Sequence, residues 1–135
     1  MGAWGTGVFD NDAAGDWSGE LEDSDDLSFV EETLQQILDV GDDYLDSDDA
    51  CEALAACEVV ARLKGNWGER DSYSEDVDDW VETHPQPPSD DLVRIALAVI
   101  DRIRTQPSEL PELWGEGDAS EWNAGVDDLR ERVGR

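Results

Sequence analysis

Residues 89–105 read SDDLVRIALAVIDRIRT. A serine, two acids and then apolar residues three and four apart is the pattern of a capped amphipathic helix. Leu92, Ile95, Ala96, Leu97, Val99, Ile100 and Ile103 surround much of its circumference, so this helix is expected at the centre of the fold. The run HPQPPS at 84–89 breaks any helix before it, because proline lacks the N–H that a helix interior needs. A bundle built around such a helix needs partners with the same period, and the rest of the chain supplies them.

Upstream, Asn11 or Asp12 caps a short helix to about Leu21, with Trp17 and Leu21 on one side. A second helix opens near Ser24 or Asp25 and ends near Val40; Leu27, Val30, Leu34, Ile37 and Leu38 keep helical spacing, and Gly41 is its stop. Asp46 or Ser47 caps a third through about Lys64, apolar over a wide arc at Ala50, Leu54, Cys57, Val60, Ala61 and Leu63, and ended by Gly65. Ser74 starts a short fourth helix containing Val77, Trp80 and Val81. Downstream, Pro107 and Pro111 bracket a short turn or helical piece ending near Trp114, and a last helix runs from about Ala119 to Arg132 with Trp122, Val126, Leu129 and Val133 inward. No segment alternates with period two or carries a hairpin turn between apolar runs. The expectation is an all-α, compact single-domain bundle of five to seven helices over residues 1–135, with an ordered N-terminal glycine/tryptophan loop. In that loop, MGAWGTGVF, Trp4 and Phe9 would anchor the chain across the helices, with Trp17 following, and the glycines would allow close approach.

Composition bounds the class. A length of 135 residues is that of one domain, and a 39% hydrophobic content with six tryptophans is more than a disordered chain carries. No apolar run reaches the roughly 18–20 residues of a membrane span, and no signal segment opens the chain. The start MGAWGT matches the loose N-myristoylation pattern, yet a chain of net charge −27 is repelled by an anionic lipid surface, so no membrane partner is expected. Cys51 and Cys57 lie six apart, on different faces of a helix, and cannot bridge each other; two buried, reduced thiols point to the cytoplasm.

Charge is the dominant signal. There are 36 acids against 9 bases, and the first base is Arg62: residues 1–61 hold 18 acids and no lysine or arginine. Phosphate binding needs cations, so direct binding of nucleic acid is disfavoured. Nucleic-acid mimicry is not demanded either. Spread over roughly 7,000 Å² of surface, the net charge is less than half as dense as that of duplex DNA. A solvated acidic surface, serving solubility or a salty milieu, competes with a dedicated basic partner.

Catalytic motifs are missing. GAWGTG has the order GxxGxG, not GxGxxG, and no strand precedes it. AGDWSGE lacks the GxSxG order, and His84 is the only histidine, which disfavours zinc and leaves no partner for a nucleophile. No catalytic residue, metal ligand set or cofactor is assigned. The densest acidic stretch, DVGDDYLDSDDACE, lacks the glycine that an EF-hand loop needs at its sixth position. Helix capping explains part of it. As a face for a basic partner, Asp39, Asp42, Asp43, Asp46, Asp48, Asp49 and Glu52 are the first candidates, with Tyr44 as an aromatic anchor.

The opening MGAWGTGVFDNDAAGDW resembles the start of an uncharacterised bacterial family, domain of unknown function 4259: MGAWG, Gly7, Phe9, the pair Asn11-Asp12 and the pair Asp16-Trp17. The tail is similar too, with SEL…ELW at 108–114, a further tryptophan and the helix VDDLRERV. The resemblance implies one complete domain from the initiator methionine in the bacterial cytoplasm, and it carries no activity or site residue. Together these features point to a small non-enzymatic binding protein, an immunity- or antitoxin-like inhibitor of a basic or nucleic-acid-binding partner. The alternatives are a metal-dependent enzyme using the Asp-rich cluster and a generic acidic or halo-adapted protein. The oligomeric state is left open.

Overall fold

The computed structural model describes residues 7–115 and 119–135. Seven helices follow one another: α1 (Asp12–Leu21), α2 (Ser28–Val40), α3 (Ser47–Leu63), α4 (Glu75–Thr83), α5 (Asp90–Ile103), α6 (Glu109–Gly115) and α7 (Ser120–Gly134). Among the described residues there is no strand; a parallel bridge joins Leu45 to Ser108. The fold is all-α, as expected from the sequence, and apolar residues of all seven helices share one core. Trp4 lies outside the described residues, while Phe9 and Trp17 are buried anchors.

The caps follow side-chain chemistry. Asn11 Oδ1 accepts from Ala14 N at 2.8 Å, Asp46 Oδ1 from Asp48 N at 2.8 Å and Ser89 Oγ from Leu92 N at 3.1 Å. Gly41 and Gly65, at φ 61° and 87°, turn the chain after α2 and α3 in a region that favours glycine. One expected start differs, and one expected cap bonds elsewhere. The second helix begins at Ser28, not at Ser24 or Asp25, because Asp26 accepts from Ser28 N and Oγ and holds the preceding residues in a turn. Ser74 flanks α4, but its hydroxyl donates to Asp78 Oδ2 at 2.7 Å instead of capping.

The central helix is α3, not α5. α3 packs against α1, α2, α4, α5, α6 and α7, and every residue from Ala53 to Arg62 is buried. α5 meets only α2, α3 and α7 in extensive contact, with Leu92, Ala96, Val99, Ile100 and Ile103 buried on one stripe and Ile95 and Leu97 half-buried at its flanks. The reason is side-chain size. Alanines at 50, 53, 55, 56 and 61 let neighbours approach α3 from every side, whereas bulky residues confined to one face make α5 a lid on the core.

α1 is fastened by Trp17, whose Nε1 donates to Thr33 Oγ1 at 2.8 Å and whose ring stacks on Phe29 with centroids 5.1 Å apart. Trp80 on α4 donates to Ser24 O at 2.8 Å and stacks on His84 at 4.4 Å, so the only histidine is packed on a ring, its Nδ1 2.9 Å from Trp80 O. Among the described residues no helix is long and apolar enough to cross a membrane.

Candidate functional site

The acidic stretch 39–52 divides in two. Asp39, Asp42 and Asp43 stand exposed at the end of α2 and on the loop after it, Asp39 accepting from Gln35 Nε2 at 3.1 Å. Arg102 reaches this loop but takes its carbonyls: Nε donates to Gly41 O at 2.9 Å and Nη2 to Asp43 O at 2.7 Å. The carboxylates themselves are left to solvent. Asp46, Asp48, Asp49 and Glu52 belong instead to the first turns of α3, where the helix dipole favours negative charge.

This second group is extended by residues far away in sequence. α6 is pinned beside the start of α3: Leu45 N donates to Pro107 O, Glu109 N to Leu45 O, Ser47 N to Glu109 Oε1 at 2.9 Å and Tyr44 Oη to Glu112 Oε1 at 2.9 Å. Tyr44 is half exposed, and its hydrogen bond to Glu112 pushes its pKa up to about 12. From the other side, α1 brings Asp16 and Glu20 near Glu52. The carboxyl of Glu52 is held above its ordinary range, first by partial burial and then by Asp49, Glu20, Asp48 and Asp16; that of Asp49 is raised by burial, Asp46 and Asp48. At the far end of α1, Glu22 is raised by a hydrogen bond and repulsion from Asp76 of α4, with Asp23 and Asp79 adding to it.

The acids of α1 and of the start of α3 flank a groove of about 460 Å³ between α1, α3 and α6. Asp12, Asp16 and Asp48 form its walls, and Ala13, Cys51, Leu110, Leu113 and Trp114 its apolar lining. Cys51 is half-buried, not buried as expected, and its thiol is pushed up to about 12 by desolvation and by Asp48, Glu52 and Asp46. Cys57 is fully buried and its thiol is raised further still by the same desolvation, so neither is a ready nucleophile.

Asn11, Cys51, Leu110 and Trp114 also line a narrower cleft of about 190 Å³ that ends on a buried ionic cluster invisible to motif searching. Glu58 receives Arg132 Nη1 and Nη2 at 2.9 Å each, and Arg62 Nη1 as well. Arg62 Nε donates to Asp78 Oδ1 at 2.8 Å and its Nη2 to Glu69 O at 2.7 Å, while the Phe9 and Trp67 rings lie 5.6 and 5.7 Å from its guanidinium carbon. Arg132 is completed by Asp128 Oδ2 at 2.8 Å; burial opposes its charge, but Glu58 and Asp128 outweigh that and hold it protonated. No buried side-chain polar atom among the described residues lacks a partner. These charges are spent on one another and bind α3, α4 and α7 together. The signal in the sequence was Glu58 and Arg62, an i,i+4 pair in a stretch of α3 that is otherwise apolar from 53 to 61.

The balance between the two regions is the main electrostatic result. Of the 18 acids in residues 1–61, only Glu58 makes an ion pair with a described base. Arg70, Arg94, Arg104, Arg130 and Arg135 pair with acids of the second half, as in Arg104 with Asp127 and Arg130 with Asp101, while Arg102 is spent on backbone carbonyls. The total surface of 6844 Å² carries one net negative charge per roughly 250 Å² on average. Among the described residues no three His, Cys, Asp or Glu side chains are placed to hold a metal ion.

Comparison with known proteins takes in the opening motif and the SEL…ELW segment, and ends just before the helix VDDLRERV. The family model described as Domain of unknown function (DUF4259) matches residues 2–125, and the chain belongs to that family. No curated protein and no solved structure gives a match.

Proposed function

We propose that this member of the DUF4259 family is a non-enzymatic binding protein of the bacterial cytoplasm whose acidic α1–α3 face meets a basic protein. The role that fits is an immunity- or antitoxin-like inhibitor of a basic toxin or of a nucleic-acid-binding enzyme. The observation that carries it is the unpaired state of the acids before Arg62, Glu58 excepted. Apart from local caps and turns such as those of Asp26 and Asp46, these seventeen carboxylates meet no described base; Asp49 and Glu52 are raised first by burial and then by neighbouring acids, and Glu22 by its hydrogen bond with Asp76 and then by repulsion. A basic surface would relieve that repulsion, steer its own approach and make the complex salt-sensitive. The metal-dependent alternative draws no support from the placement of the acids.

Affinity capture from the host's own lysate at low salt, eluted along a salt gradient, tests the reading. The expected result is one basic protein retained to moderate salt and lost when Asp16 and Glu20 of α1 and Asp48, Asp49 and Glu52 of α3 are reversed to lysine. A smear of ribosomal and histone-like proteins eluting early would sink it and leave a generic acidic surface.

A further inference from the structure

We infer that the groove between α1, α3 and α6 seats an arginine side chain of a basic partner, its guanidinium stacked on Trp114 between the carboxylates of Asp12, Asp16 and Asp48. The inference rests on the preceding reading and deepens it, by naming the contact that would distinguish the right partner from any other cation.

Four features carry it. The first is shape. About 460 Å³ of space lies within the usual range of small-ligand sites, and Cys51, Leu110 and Trp114 offer an apolar bed for a methylene stem. The second is charge. Three carboxylates line the groove, and no described base pairs with any of them. The third is spacing. The acids are not gathered closely enough to enclose a metal ion, so the matching cation is a broad one. A planar guanidinium can stack on an indole and still present its N–H edges to carboxylates on either side; a lysine ammonium can only do one of these well. The fourth is rigidity. Ser47 N on Glu109, Tyr44 Oη on Glu112 and the Leu45–Ser108 bridge hold α6 beside α3, so the groove is built before any partner arrives.

The test uses the intact protein and a defined probe, N-acetyl-Gly-Arg-Gly-amide, titrated by two-dimensional NMR at about 0.1 M salt. The citrulline peptide, neutral and nearly isosteric, is the control ligand. The expected shifts fall on the Trp114 indole and on amides of 12–16 and 47–51, and are absent with citrulline. Replacing Asp12, Asp16 and Asp48 together by Asn should weaken the arginine peptide by about tenfold, since each partly exposed carboxylate contributes modestly. The matched variant Asp25→Asn, Glu31→Gln and Glu32→Gln removes the same charge from residues that do not line the groove, and should change affinity by less than about twofold. Shifts scattered over the acidic surface, or equal losses in the two triple variants, would overturn the groove. A captured basic protein retained by both variants would also overturn it and leave the acidic-face reading standing. Arginine seated at Trp114 with no basic protein captured would support the groove and overturn that reading.

Discussion

Glu58 is the residue whose loss should cost this fold most for its size. Its two oxygens accept three guanidinium N–H groups from Arg62 and Arg132, and its side chain is 7% exposed. Glu58→Gln keeps the volume but turns an amide toward donors and leaves two buried guanidinium groups with one carboxylate fewer. Removing one partner of a buried pair costs about 3–5 kcal/mol, against a total stability of about 5–15 kcal/mol. With an unfolding entropy of about 2.1 cal/mol/K per residue, 135 residues translate that loss into a Tm fall of about 10–18 °C. Urea unfolding followed by circular dichroism measures it, with Glu52→Gln on the same helix as the partly exposed control. The double variant Glu58→Met, Arg132→Met should lose less than the two single changes combined, because Arg62 keeps Asp78 at 2.8 Å and no unpaired charge is stranded. A Glu58→Gln loss below about 1 kcal/mol, no larger than the control's, would refute the view that this cluster holds α3 to α7.

Four further outcomes follow from the same structure. Glu22, Asp49 and Glu52 have raised folded-state pKa values, so their folded forms take up protons more readily than the unfolded chain does; stability should therefore rise as pH falls from about 7 toward about 5, and fall again at lower pH, where Asp101, held below its ordinary range by Arg130, loses its charge. Raising salt from about 0.1 M to about 1 M shortens the Debye length from about 10 Å to about 3 Å and should also raise Tm; a fall in Tm would contradict net repulsion. Arg102→Ala removes hydrogen bonds to Gly41, Asp43, Thr105 and Pro107 carbonyls, and hydrogen exchange should quicken at the Leu45 and Glu109 amides, with a stability loss of about 1–3 kcal/mol. Aromatic disulfide titration should modify Cys51 slowly in the folded protein and Cys57 only on unfolding; equal rapid reaction of both would contradict their burial.

Much of the candidate face was legible from residues alone. The acids at 46, 48, 49 and 52 could be singled out because they crowd the start of a helix in a half-chain without bases. That Asp39, Asp42 and Asp43 fall at the end of α2 and on the loop after its Gly41 turn, outside α3, was legible too, but not that Arg102 fastens that loop by its carbonyls. Nor were Glu109 and Glu112, which join through hydrogen bonds to residues more than sixty positions earlier.

The sequence by itself determined the helices, the caps of α1, α3 and α5 and the all-α class, because helical period, capping side chains and proline breaks act within a few residues. It also determined the charge asymmetry, which is a matter of counting. Tertiary structure alone decided that α3 and not α5 occupies the centre, since centrality depends on how closely neighbours can approach alanines. It alone decided which acids line a groove and which arginines are consumed inside. Glu58 and Arg132 are 74 positions apart, and no local pattern records that two such charges will be buried against each other.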